Sequence, residues 1–168
     1  MTTKTSQKYL FSTRLDIPEA SRIKLIELLN KTLASTLDLQ TQIKQAHWNV
    51  KGWDFYQLHL MFDEIAEEVE GYVDTIAERI TTLGGYAMGT ARTAARDSSI
   101  PEYPFEAVSG SDHLHALADR LAAYARMVRA AIEQANDLGD LDTADLFTEV
   151  SRGIDKRLWF VEAHLQGN

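Results

Sequence analysis

His47 and His59, with the carboxylates that follow them, are the residues whose types and spacing suit chemistry best. They lie in the stretch KQAHWNVKGWDFYQLHLMFDEIAEEVEGYVDTIAER, from Lys44 to Arg79. Imidazole and carboxylate occur there together without thiolate, a donor set that suits Fe2+ or Zn2+. Turning at 100° per residue from His59, Asp63, Glu67, Glu70, Asp74 and Glu78 fall at about 40°, 80°, 20°, 60° and 100°, all on one stripe of a helix. The apolar set Phe62, Val69, Val73, Ile76 and Ile80 centres about 130° away, so the stripe flanks the core face instead of interrupting it. Two readings fit. One is a solvated acidic face with a histidine on it. The other is a metal-binding stripe, because a single-sign row with Arg79 as its only nearby base repels itself unless cations gather there. Spacing alone leaves both open.

The stripe must ride on long helices. Asp16-Ile17-Pro18-Glu19 has the acid-plus-proline pattern of a helix start, and Ile26, Leu29, Leu33 and Leu37 then step by three and four toward His47. Gly52 breaks the pattern. A second helix runs from near Leu58 to Leu83, and Gly84-Gly85 gives it a stop. The segment 86–109 is longer than most bundle connections, and Thr90 to Asp97 reads as one or two helical turns within it. Leu114, Leu117, Leu121, Tyr124, Val128 and Ile132 mark a third long helix; Phe147, Val150, Ile154, Leu158, Val161 and Leu165 mark a fourth. Four long amphipathic helices with one long link between the second and third give an all-α, ferritin-like four-helix bundle.

Composition narrows the function. The 168 residues fit one domain, 1–168, with 1–15 expected as a flexible N-terminal tail. With 45% hydrophobic residues and no apolar run of about 18, the chain is expected to be soluble and to have no membrane partner. MTTKTSQKYLFSTR has no apolar signal core, so nothing directs export. The lack of cysteine excludes disulfides, thiolate sites and thiol catalysis, and agrees with a reducing cytoplasm. A net charge of −8 argues against an all-round basic nucleic-acid surface and suits one that attracts cations.

A di-iron centre inside such a bundle needs Glu-x-x-His pairs, and the sequence has none. Asp112-x-x-His115 comes nearest, but it opens a helix, where Asp is an ordinary first-turn residue. If the stripe binds metal, its place beside the core face suggests ligands shared with another subunit.

The motifs KQAHWNVKG, LHLMFDE, DTIAERITTLGG and DTADLFTEVSRGIDKRLWFVEAH, with the spacing His-x11-His-x14-Asp-x3-Glu, resemble the Dps family of mini-ferritins from about Leu15 to His164. The resemblance implies a hollow dodecamer. It implies a ferroxidase that oxidises Fe2+ with hydrogen peroxide, less efficiently with O2, at a di-iron site, and stores Fe3+ as mineral. Matched onto this sequence, the ligands are His47 and His59 from one subunit and Asp74 and Glu78 from its two-fold partner. Asp63 is a further iron-side carboxylate, and Trp48 matches the family's site tryptophan, though alone it reads as core or interface packing. Zn2+ or another divalent metal is expected to substitute for iron. Glu67 and Glu70 either lead ions inward or are simply solvated. The family's acidic three-fold pore corresponds to NDLGDLDTAD, which offers Asp137, Asp140, Asp142 and Asp145; any of these can instead cap a helix, Asp142 above all. The expected partners are eleven further copies, iron and peroxide. DNA binding in the family uses a lysine-rich tail, and only Lys4, Lys8 and Arg14 precede the first helix here. The alternative role is a nucleoid-binding protein of the bacterial cytoplasm that shields DNA physically.

Overall fold

The computed structural model describes residues 10–167. Five helices follow in order: α1 Glu19–Asn49, α2 Phe55–Thr82, α3 Ala91–Asp97, α4 Gly110–Asp137 and α5 Leu141–Leu165. The only pairing of strand type among the described residues is an isolated bridge between Lys51 and Ser109. No described helix is long and apolar enough to cross a membrane. Of the expected N-terminal tail, 1–9 lie outside the described residues. Leu10 packs on the core, and the Phe11 N–H donates to the Gly84 carbonyl at 2.7 Å.

The four long helices pair as α1 with α2 and α4 with α5; α1 also meets α3 and α4, and α2 meets α5. Leu25, Leu29, Phe62, Ile65, Leu121, Phe147 and Ile154 fill the space between them with essentially no exposure. Burying each such side chain stabilises the bundle by about 1.5–3 kcal/mol. The connections are short inside each pair, which makes neighbours antiparallel, and long between the pairs.

Local chemistry sets the helix ends. α2 stops in a Schellman turn: Gly84 takes φ 84°, its N–H reaches the Thr81 carbonyl and the Gly85 N–H reaches that of Ile80. Gly139, at φ 81°, closes α4 in the same way, with the Gly139 N–H on Asn136 and the Asp140 N–H on Ala135. Asp140 then caps α5, its carboxylate accepting from the Thr143 N–H at 3.1 Å. The cap is therefore Asp140 and not Asp142, because the tight Gly139 turn places Asp140 one step before the helix. Ser109 and Asp112 form a reciprocal capping box on α4, and Thr90 and Thr93 form one on α3.

The long connection is held by polar side chains of α1. Asn30 donates to the Tyr86 carbonyl and accepts from the Met88 N–H; Ser35 accepts from the Ser99 N–H; Asp38 accepts from Ser98 Oγ; Gln42 donates to the Pro101 carbonyl. One face of a single helix thus replaces the partners that a chain crossing without regular structure would otherwise lack.

Candidate metal centre

The hairpin between α1 and α2 brings His47, in the last turn of one helix, against His59, in the first turns of the next. Their rings stack with centroids 3.8 Å apart and planes 21° from parallel. His47 Nδ1 lies 2.8 Å from the His59 carbonyl, and His59 Nδ1 lies 2.8 Å from the His47 carbonyl. A carbonyl only accepts, so each Nδ1 carries the proton, and each neutral ring keeps its lone pair on Nε2. That is the state in which an imidazole ligates a metal, with its tautomer and direction fixed by the backbone.

Asp63, one turn beyond His59, is half exposed and bonds Lys44 Nζ at 2.5 Å, with Oδ1 3.9 Å from His47 Nδ1. The Lys44 hydrogen bond holds its carboxyl below the usual range. Trp48 is exposed, with Lys44 Nζ 5.9 Å from its ring centroid.

Asp74 and Glu78 stand one turn apart on the exposed side of α2, as do Glu67 and Glu70. Among the described residues, the Asp74 and Glu78 carboxylates make no ion pair or hydrogen bond. Asp74 follows His59 by fifteen residues of one helix, about 22 Å along its axis. A metal–ligand bond is about 2 Å, so the two cannot meet on one ion within a chain. Accordingly, no three His, Asp or Glu side chains among the described residues converge closely enough to hold a metal.

Arg79, expected as the stripe's only nearby base, is engaged elsewhere, with Nη2 2.7 and 2.9 Å from the two Asp140 oxygens and Nε on Thr143. Within the stripe only Asp63 has a basic partner among the described residues, Lys44 of α1; Arg157 of α5 pairs with Glu68 and Glu64, which lie off the stripe. Of the four acids near the α4–α5 turn, Asp137, Asp142 and Asp145 are exposed, whereas Asp140 is buried against Arg79. Asp112 Oδ2 accepts from the Val108 and Ser109 amides, and His115 is exposed. The bundle centre holds Thr36 bonded to the fully buried Tyr124 hydroxyl at 2.8 Å, where an internal metal site would need carboxylates.

Two polar groupings were not legible as such. Tyr72 donates to Glu68 Oε1 at 2.7 Å, and Arg157 holds the other Glu68 oxygen. Gly153 makes room for them: a Cβ there would overlap the Tyr72 hydroxyl and come within 2.7 Å of Glu68 Oε1. A lone glycine inside a helical pattern was the available signal. The second grouping joins Tyr103 to His113, both buried.

A family model described as a ferritin-like domain matches residues 26–167. The "DNA protection during starvation protein" of Agrobacterium fabrum is 42% identical over 154 residues, 92% of this chain and 95% of that protein. DpsC from Streptomyces coelicolor superposes with a TM-score of 0.89 at 32% identity, over 95% of this chain and 93% of that one. Mycobacterium smegmatis Dps, in its tetragonal form, gives a TM-score of 0.89 at 35% identity, over 93% and 95%.

Proposed function

This chain belongs to the Dps family of ferritin-like proteins, and from that membership we propose that it oxidises Fe2+ with hydrogen peroxide at sites shared between two-fold-related subunits. The observation that carries the reading is the division of donors. His47 and His59 are preset, with free Nε2 lone pairs, at one end of α2, and Asp74 and Glu78 stand unpartnered about 22 Å away. Each half lacks what the other half of a second copy offers.

Two Fe2+ ions give up one electron each. The peroxide O–O bond breaks, two protons are taken up, and two waters form without release of hydroxyl radical. Imidazole nitrogens suit the ferrous substrate, and carboxylates suit the harder ferric product. Asp63 joins the set by exchanging Lys44 for iron, and Trp48 lines the same face. O2 serves as a slower oxidant, and Zn2+ competes for the same donors. The Fe3+ moves along Glu67 and Glu70 into a hollow dodecamer formed by copies of one 168-residue domain. Asp137, Asp142 and Asp145 form an acidic entry. Twelve chains of net charge −8 make a shell that draws cations in, which serves iron storage and protection of DNA in the bacterial cytoplasm.

The test is Fe2+ oxidation by peroxide in the unsubstituted protein and in His47→Ala plus Asp74→Ala. Unchanged rates in the double variant would sink the site.

A further inference from the structure

Large apolar side chains stand exposed at both ends of α2. At the turn that leads into it, Trp53 is 100% exposed and Tyr56 66%, and Phe55, also exposed, meets the His59 ring at a centroid distance of 5.2 Å. At the far end, the segment before α1 is tied down by Leu10 and Ile17 on the core and by the Phe11 N–H on the Gly84 carbonyl. Its Phe11 and Leu15 side chains nevertheless face outward, Phe11 at 59% exposure. The 28 residues of α2 hold the two groups about 42 Å apart along the axis, so they do not meet within one chain.

A two-fold pairing that sets His59 of one copy level with Asp74 and Glu78 of another also fixes a register. The two α2 helices run antiparallel, and each residue n stands opposite about residue 135 − n. The axis then passes near Glu67 and Glu68, and Trp53 comes level with Thr82, beside the Gly84 carbonyl that holds Phe11. Gly71 supports this register. It lies on the exposed side of α2, and a Cβ built there meets nothing within 4 Å, so nothing inside the chain calls for a glycine that costs a helix about 1 kcal/mol against alanine. About one turn from the axis, opposite Glu64 of the second copy, the close passage of another helix gives the missing side chain a reason. We propose that Trp53, Phe55 and Tyr56 of one copy dock on Phe11 and Leu15 of a second copy, once at each end of the pair. This clasp holds the histidines of each copy against the carboxylates of the other, and it rests on the two-subunit site proposed above. Its eight rings, each with about 150–250 Å2 to bury when fully exposed, supply much of the about 1,200–2,000 Å2 of a standard interface.

The chain has no cysteine, so introduced thiols report this contact alone. The assembled full-length protein carrying Phe11→Cys and Trp53→Cys is treated with a short bismaleimide and run on a denaturing gel. We expect a covalent dimer and nothing larger, because an isologous contact closes on itself, and no dimer from either single variant. Monomer alone from well-formed particles, a ladder of larger species, or a dimer from Trp53→Cys by itself would overturn the clasp. Trp53→Ala is the second variant. A fully exposed side chain contributes little to the fold of one chain, whereas loss of a docked tryptophan should raise the dissociation constant of the pair about tenfold or more. Light scattering on dilution reads this, and an unchanged profile would also overturn the clasp. The shared site is judged separately, by Fe2+ oxidation in His47→Ala plus Asp74→Ala. Oxidation lost there with no cross-link in the cysteine variant would reject the clasp and leave the site standing. A cross-link with oxidation unchanged would keep the clasp and reject the site.

Discussion

His47 and His59 cap each other: each Nδ1 lies 2.8 Å from the other residue's backbone carbonyl, and the rings stack between the two bonds. The pair is therefore set before any metal arrives. The cost of ordering two imidazoles is met during folding of the hairpin and not during binding.

Loss of either ring should be felt on both sides. His59→Ala leaves the His47 carbonyl without its donor and removes the stacked face. We expect Co2+ affinity to fall more than about tenfold and the protein to lose about 1–2 kcal/mol of stability. A Co2+ titration and a thermal melt check both.

Gly153→Ala tests the packing of Tyr72 against α5. On propensity alone, alanine would stabilise the helix by about 1 kcal/mol. The clash with Tyr72 and Glu68 should reverse the sign and cost about 1–3 kcal/mol. Adding Tyr72→Phe removes the hydroxyl and should recover most of the loss, as denaturant unfolding of the three variants will report.

Asp140 links stability to acid. Its burial favours the neutral carboxyl, but bonds from the Thr143 hydroxyl, the Arg79 guanidinium and the Thr143 amide outweigh this and hold it below the ordinary carboxylate range. A depressed carboxyl contributes fully above its unfolded value and loses that contribution as pH falls through the folded one. Asp140→Asn should thus cost about 0.5–2 kcal/mol near neutrality, as for a lost helix cap. The gap should narrow once pH drops below the usual 3.8 of Asp. Melts at neutral and strongly acid pH separate the two regimes.

DNA binding distinguishes the two roles open to a member of this family. Lys4, Lys8 and Arg14 are few contacts, so we expect any retardation of DNA to vanish between about 50 and 200 mM salt. Retention of DNA at the higher salt in gel shifts would favour physical shielding as the main role.

Much of this was legible in the sequence because its causes are local. The three-and-four spacing of Ile26, Leu29 and Leu33, the stop at Gly84 and the helix at Ala91–Asp97 all follow from short-range pattern. The acidic stripe beside the core face was equally readable, since position on a helix is arithmetic. Contacts between distant segments were not. Nothing near Asn30, Ser35 or Gln42 says that their partners lie in the long connection. Arg79 looked available to the stripe because its partner, Asp140, is 61 residues away and belongs to a turn whose geometry sets the cap. His113 went unremarked beside the more suggestive spacing of His115, and only burial separates them.

The division of the site between two subunits has a direct measurement. His47→Ala and Asp74→Ala are each expected to lose rapid peroxide-driven Fe2+ oxidation. When the two variants are dissociated, mixed in equal amounts and reassembled, each mixed two-fold pair contains one doubly defective site and one intact site. With random pairing, about a quarter of all sites regain both halves, so we expect about a quarter of the unsubstituted rate. No recovery in well-formed mixed particles, with each variant inactive alone, would place all four ligands on one chain and contradict the shared site.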